Sequence, residues 1–380
     1  MKWCTNLVLG WHFELWGGIV NSRQITKIEI EGFKSIKECS LELGMVNVLI
    51  GSNGSGKTNF ISLFKMLQSM IDEDLQSYIS KHGGPNAFLF FGSKRTERLK
   101  VRFYFGENGY QFTLVPTTDD RLMFEGEWFY WTGCGTKRVA SGHFESKWKN
   151  GSGFRIDNFV RPILQNQKWR VYHFHDTSDT ALVKQIHGIN DNIDLATDAR
   201  NLAAFLYRLK QTEENSYNQI VRTVRLVAPY FDDFILRPNP LKPDNIRLEW
   251  KDVNSDAPFT ASQLSDGTLR FICLATLLLQ PRGLMPETIL IDEPELGLHP
   301  YAISLLASLI KKAAVSKQII VSTQSVELLN EFNTEDVVVV NHRNDHSTFS
   351  RLDEEELKTW LDEDYTLGDL WKRNVLGGRP

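Results

Sequence analysis

Residues 47–59, Asn-Val-Leu-Ile-Gly-Ser-Asn-Gly-Ser-Gly-Lys-Thr-Asn, carry the residue types a polyphosphate needs, at the spacing it needs them. Gly51, Gly54 and Gly56, with Ser52, Asn53 and Ser55 between them, form a loop that can bend tightly and turn bare backbone N–H groups toward an anion. Lys57 adds a point charge for β- and γ-phosphates, and the Thr58 hydroxyl can ligate Mg²⁺. The pattern is G-x-x-x-x-G-K-[ST], and it has chemical meaning only between a strand and a helix. Both neighbours are present. Val48-Leu49-Ile50 reads as a buried strand, and Asn59 to Leu67 has helical apolar spacing, so the loop ends on a positive helix N-terminus. A glycine turn before a helix is the plainer reading of any one of these residues. The complete pattern in its strand-to-helix setting points to a nucleoside triphosphate.

A second anion-seeking helix start lies at Ser262-Gln263-Leu264-Ser265-Asp266-Gly267-Thr268, ahead of the apolar run Phe271 to Leu279. Alone, Ser265, Asp266 and Gly267 are a helix cap. Downstream comes Thr288-Ile289-Leu290-Ile291-Asp292-Glu293-Pro294, with Asp292 twenty-seven positions beyond Ser265: four apolar or β-branched residues delivering two carboxylates to the end of a buried strand. That is the strand edge where α/β folds of this kind place their chemistry. Asp292 would hold Mg²⁺ through water, and Glu293 would orient and deprotonate an attacking water. The plainer alternative is a strand that ends in a solvated acidic turn.

These residues need elements to position them. Ile25 to Ile30 alternates with period two, Gly32-Phe33-Lys34-Ser35 turns, and a second strand runs to about Leu43. Leu99 to Phe105, Tyr110 to Val115 and Arg121 to Trp131 alternate as well, so residues 97–150 read as an antiparallel meander. Trp169 to His175 is a further strand. Its His173 and His175 share one face with Asp176 beside them, a pair that a metal could use but that more commonly faces solvent or bonds to neighbours. Asn201 to Leu209 and Tyr217 to Val227 have helical spacing. The expected organisation is an extension at 1–24, a nucleotide-binding head at 25–345 with a β insertion near 97–180 and a helical lobe near 190–285, and a tail at 346–380.

Composition narrows the class. A chain of 380 residues, 42% hydrophobic and 24% charged, can bury a substantial core, and a net charge of −4 gives no global reason to bind nucleic acid. Cys4, Cys39, Cys134 and Cys273 form no C-x-x-C pair, which predicts reduced thiols, a cytoplasmic setting and no zinc site. Asn6 to Trp11 starts like an export signal, but His12 and Glu14 interrupt it and no small-residue cleavage site follows, so a poorly ordered extension is the expectation. No run of 18 apolar residues is present, and no membrane partner is expected.

Taken jointly, these motifs resemble an ABC-type ATPase head of the RecF/SMC class, and more closely its compact stand-alone bacterial members, the AAA_21-like ATPases. The resemblance rests on Gly51 to Thr58, on Leu264 to Thr268 as the signature, on Ile291 to Pro300 as Walker B with its D-loop, and on Ile319 to Ser325 as the switch strand, together with Gly32-Phe33-Lys34-Ser35. It spans roughly residues 25–345 and implies a P-loop NTPase of the α/β class, with an antiparallel β lobe and a helical signature lobe. It also implies ATP and Mg²⁺ as cofactors, and a head-to-tail homodimer sandwiching two ATP molecules. Lys34 and Ser35 would then lie near the phosphates, Ser265 and Gly267 would close on the partner's γ-phosphate, and Asn53 and Gly297 would sit at the seam. Where many relatives have a switch histidine this chain has Gln324, which can donate a hydrogen bond but carries no proton charge, so ATP is expected to act more as a clamp than as a fast fuel. The Q-loop glutamine has no clear counterpart; Gln165 and Gln167 lack a motif. The 208 positions between Lys57 and Ser265 are filled by short elements, leaving no place for coiled-coil arms, and no Toprim nuclease is expected after the switch strand.

Three function classes follow. One is a DNA-associated repair ATPase, for which Lys94, Arg95, Arg98, Lys100, Lys147 and Lys149 are the candidate surface. The second is the sensor or ATPase subunit of a defence or toxin system, with a neighbouring gene supplying the effector. A transporter ATPase is disfavoured by the antiparallel insertion and the Ser-Asp-Gly-Thr signature. The tail, acidic from Asp353 to Asp364, is expected to pack on the head, with docking to a partner as the alternative.

Overall fold

The structure, a computed structural model, describes residues 24–131, 135–149, 169–353 and 365–377, and residues 161, 164, 355, 357 and 360. Residues 1–23, Cys4, Cys134, Gln165, Gln167 and most of the acidic stretch 353–364 lie outside the described residues.

In chain order the strands of the first part are β1 (Lys27–Phe33), β2 (Ile36–Glu42) and β3 (Val46–Ile50), followed by helices α1 (Lys57–Ile71) and α2 (Leu75–Lys81). The meander follows as β4 (Leu99–Phe105), β5 (Asn108–Pro116), β6 (Leu122–Trp131) and β7 (Gly135–Ala140), and then β8 (Trp169–Tyr172). The helical lobe holds β9 (His187–Gly188), α3 (Leu202–Thr212), α4 (Glu214–Val227), β10 (Phe231–Ile235), β11 (Asn245–Ile246), β12 (Glu249–Asp252), β13 (Pro258–Thr260) and α5 (Asp266–Leu279). Last come β14 (Thr288–Asp292), α6 (Pro300–Ala314), β15 (Gln318–Thr323), α7 (Val326–Leu329), β16 (Val337–Arg343), β17 (His346–Arg351) and α8 (Leu367–Lys372).

Two six-stranded sheets organise the chain. The central one has the order β17-β16-β3-β15-β14-β8 and is parallel apart from β17. Its inner strands are apolar on both faces, as sheets covered on both sides must be. Leu49, Leu290, Ile320 and Val338 face a core shared with α1 and the antiparallel sheet, while Val48, Ile291, Val321 and Val339 face the core built by α3 to α6. The second sheet, β2-β1-β4-β5-β6-β7, is antiparallel throughout, with Leu99, Val101, Phe103 and Phe105 alternating inward.

The fold is therefore α/β, with the antiparallel lobe on one face of a P-loop sheet and the helical lobe on the other. Two details depart from the sequence reading. β8, which falls within the expected β insertion of about 97–180, belongs to the central sheet, pairing with β14. β17 is hydrogen-bonded to β16, so residues 346–351 are part of the head sheet.

Candidate nucleotide site

Three strands deliver the chemistry to one sheet edge. β15 lies between β3 and β14, with Ile50 opposite Thr323 and Ser322 opposite Asp292. The loop after β3, the carboxylates after β14 and the residues after β15 are thereby brought together from positions far apart in sequence.

At the loop, Lys57 is buried and its Nζ donates to the carbonyls of Gly51 at 2.5 Å and Ser52 at 3.0 Å. Burial lowers its pKa, and Glu293, Asp292 and Glu295 oppose that shift, which places all three carboxylates in its field. Gly56 caps α1 with φ 115°, and a Cβ there would collide with Ser347 on β17. Ser55 Oγ is buried without a partner. The first turn of α1 leaves N–H groups with no intrahelical acceptor. An orphaned hydroxyl, a helix start and a lysine over a glycine cradle together fit a polyphosphate. Asn53, Gly54 and Thr58 are exposed.

Ser35 supports the loop from the side. Its Oγ is 2.7 Å from Ser347 Oγ and accepts from Asn59 Nδ2 at 2.7 Å, and its carbonyl accepts Ser347 N at 2.7 Å. Lys34 sits at φ 49° with its N–H on Phe88 O, and burial, with Lys65 nearby, lowers its pKa. Beside these residues opens a cleft of about 900 Å³ lined by Lys34, Ser35, Asn59, Phe91, His342 and Asp345 among others. Phe91 is half exposed there, at φ 54°, with Arg95 over its ring at 5.1 Å.

At the carboxylate edge, Asp292 accepts a hydrogen bond from Ser322 Oγ. Glu293 is held at φ 42°, a left-handed conformation costly for a residue with a side chain and one that clusters at functional sites. Its amide donates to Ser322 O at 2.8 Å, and its Oε1 accepts from Gln324 Nε2 at 3.2 Å. Glu295 is buried and accepts from Thr323 Oγ1 at 2.5 Å; burial raises its pKa.

The histidines of β8 gain a context the sequence did not offer. His173 Nδ1 is 3.8 Å from Asp292 Oδ2, and His175 Nε2 bonds the Asp292 carbonyl at 2.8 Å. Burial pushes the His173 pKa down to about 4, helped by Lys65 and opposed by Asp292. Among the described residues no group of three His, Cys, Asp or Glu side chains forms a separate metal centre.

The signature stands apart. Ser265 and Asp266 are exposed, Ser265 Oγ caps α5 by accepting Thr268 N at 3.1 Å, and among the described residues no hydrogen bond joins them to the P-loop. A Cβ on Gly267 would collide with the Gly297 carbonyl, so the signature packs directly on the D-loop of its own chain. Arg270, one turn on, is buried and donates to the carbonyls of Phe174 at 2.9 Å, His175 at 3.1 Å and Leu296. Sequence reading missed Arg270, Ser347 and the Asp292 neighbours of His173 and His175.

Of the basic candidates, Arg98 pairs with Glu125 at 3.1 Å, Lys100 with Glu31 at 2.9 Å and Lys149 with Glu73 at 3.0 Å, which neutralises half of that surface. No described helix is long and apolar enough to cross a membrane.

A family model described as "AAA domain, putative AbiEii toxin, Type IV TA system" matches residues 46–330. The OLD nuclease of Thermus scotoductus is 22% identical over 376 residues, covering 93% of this chain and 68% of that protein. Two solved structures share the fold. An Smc head bound to the C-winged helix domain of ScpA has TM-score 0.56 at 18% identity, covering 88% of this chain and 99% of that one. An Smc head from Pyrococcus yayanosii, with a coiled coil and joint, has TM-score 0.55 at 13% identity and covers 90% and 99%. The sheet order, the P-loop geometry and the match over residues 46–330 make one case: the chain belongs to this AAA domain family and is an ABC-type P-loop ATPase of the RecF/SMC class.

Proposed function

We propose that the chain binds ATP with Mg²⁺, hydrolyses it in a head-to-tail dimer, and serves as the sensor or ATPase subunit of a bacterial defence system whose damaging activity resides on a separate protein. The observation that carries the dimer is the separation of two anion-seeking helix starts. Lys57 and Thr58 gather with Asp292, Glu293 and Gln324 at one sheet edge, whereas Ser265 and Asp266 sit exposed at the start of α5 with Gly267 beside them, and among the described residues none of the three is hydrogen-bonded to that edge. A second copy can bring its signature to the open side of the P-loop.

In this reading Gly51 to Lys57 cradle the phosphates, and Lys34, Ser35 and Asn59 flank them. The cleft beside Phe91 takes base and ribose. Thr58 and Asp292 hold Mg²⁺, which when bound supplies positive charge to the phosphate oxygens. Glu293 receives the proton of the attacking water, and Gln324 aligns Glu293 and the γ-phosphate. The toxin and TA wording of the family description supports the defence role over repair. So does the pairing of Arg98, Lys100 and Lys149, which weakens the field a DNA backbone would feel.

A mixing experiment tests the shared pocket. Lys57→Ala chains and Ser265→Arg chains are each expected to be inactive. An equimolar mixture should recover about a quarter of wild-type turnover, because half of random dimers hold one intact pocket. No recovery, with dimers shown to exchange, overturns the shared pocket.

A further inference from the structure

The switch residue Gln324 follows β15 directly, and the chain then enters α7, which is four residues long. Ser325 Oγ caps it by accepting Leu328 N at 3.1 Å. One helical turn closes too few hydrogen bonds to hold itself, so its place is fixed by what packs on it. Among the described residues two helices do so, α6 and α8. From α6, Ser304 Oγ donates to Glu331 Oε1 at 2.5 Å, just past the end of α7.

The contact with α8 is closer. Gly368 N donates to Asn330 Oδ1 at 2.7 Å, and a Cβ on Gly368 would collide with Val326 Cγ1 and stand 2.6 Å from Asn330 Oδ1. The backbone of α8 thus lies on the side chains of α7 with no room to spare. Leu370 and Trp371 are buried in the same core as Leu328 and Leu329, and Lys372 lies in the field of Glu327. Thr366 and Asp369 close a capping box that fixes where α8 begins.

We infer that α8 is a positioning element for hydrolysis: it seats α7, and through α7 it holds Gln324 within reach of Glu293, so that the segment around residues 366–372 sets turnover without touching the nucleotide. This rests on the Gln324 role proposed above. Gln324 Nε2 to Glu293 Oε1 is already 3.2 Å, so moving Gln324 half an ångström away from Glu293 breaks that bond.

The test uses the full chain, with ATP affinity measured by a fluorescent ATP analogue and turnover by phosphate release. Gln324→Ala is expected to lower kcat about 10- to 100-fold, the range for losing one transition-state donor. Gly368→Ala should lower kcat about 3- to 10-fold with KM and analogue affinity unchanged, since it moves a donor without removing it. Adding Val326→Ala to Gly368→Ala removes the methyl that the new Cβ meets first, leaving only the Asn330 side chain to give way, and should restore kcat in part. Asn330→Ala, which cannot overpack, should give a smaller fall in kcat at constant KM. Wild-type kcat in both Gly368→Ala and Asn330→Ala overturns the inference, as does a joint loss of affinity and kcat that Val326→Ala leaves unrepaired. If Gln324→Ala is slow while those two variants are not, the α8 inference alone falls. Should Gln324→Ala turn over normally, the switch role falls with it.

Discussion

Replacing Arg270 by alanine removes a single buried side chain that ties the signature helix to two other parts of the site. The residue is 8% exposed, its guanidinium donates to the carbonyls of Phe174, His175 and Leu296, and His175 in turn bonds the Asp292 carbonyl. A hydrogen bond from a charged donor contributes about 1.5–3 kcal/mol, but water entering the space left by the side chain recovers part of that for each carbonyl. Three such bonds then sum to about 3–5 kcal/mol, the range for breaking a buried charged network. In a chain of this size one kcal/mol moves the melting temperature by about 1–2 °C, so Arg270→Ala should melt about 3–10 °C lower. Arg270→Lys keeps the charge but carries its donors on a single nitrogen, without the planar fork that spans three separate carbonyls, and should fall about midway. Thermal unfolding followed by circular dichroism gives the first number, and phosphate release from the same preparation gives the second. Turnover should drop more than ATP affinity, because the 174–175 carbonyls anchor the strand end beside Asp292. A melting temperature within 1 °C of wild type, or a lower one with kcat intact, refutes the argument that this arginine couples the signature to the Asp292 edge.

The remaining predictions are more direct. Lys57→Ala should lose ATP binding in an equilibrium assay, while Glu293→Gln should bind normally and turn over about 10²- to 10⁴-fold more slowly; wild-type hydrolysis by Glu293→Gln removes the base assignment. Phe91→Ala should raise KM for ATP about 10-fold or more at constant kcat, since ring stacking on a base is worth about 1–3 kcal/mol, and an unchanged KM moves the base out of that cleft. Glu127 is fully buried on β6. Burial pushes its carboxyl pKa up, but hydrogen bonds from His143, Ser146, Tyr110 and the Lys147 amide outweigh that and hold it below its ordinary 4.5. A depressed pKa stabilises the fold fully above the unfolded value and loses that stabilisation as pH falls through the folded value. The stability advantage of wild type over Glu127→Gln should therefore be constant above about pH 4.5 and shrink below it in urea titrations. An advantage that grows toward low pH contradicts the sign.

The phosphate loop was legible because its motif is local: thirteen consecutive residues contain the strand end, the glycines, the lysine and the helix start. The same holds for Asp292 and Glu293 at the end of an apolar run, and for the alternation of β4 to β6. What the sequence hid is whatever depends on contact across the chain. His173 reads as an ordinary strand histidine until β8 is seen to pair with β14, more than a hundred positions away. Ser347 fell in the supposed tail although a signal was present. Asn344-Asp345, at φ 49° and 64°, is a two-residue hairpin turn between Val337 to Arg343 and the alternating His346 to Arg351. Glu127 interrupts no pattern, since a buried carboxylate in an alternating strand differs from a solvent-facing one only by the partners that other strands bring. Arg270 lies inside an apolar helix, where a lone cation asks for buried acceptors, and nothing local names the three carbonyls that supply them.

The order of strands in the central sheet also has a consequence for synthesis. β3 is completed within the first 50 residues, yet the strands that flank it pair Val46 with Ile319 on one side and Val48 with Val337 on the other. At about 5–20 residues per second, a ribosome needs roughly 15–60 s to cover that gap. Throughout that interval Val46 to Ile50 is an apolar segment with neither neighbour, open to misassembly with other nascent chains. The triphosphate pocket cannot exist on a partly made chain, so a trapping assay on stalled ribosomes should detect nucleotide only when the stall lies well beyond residue 340.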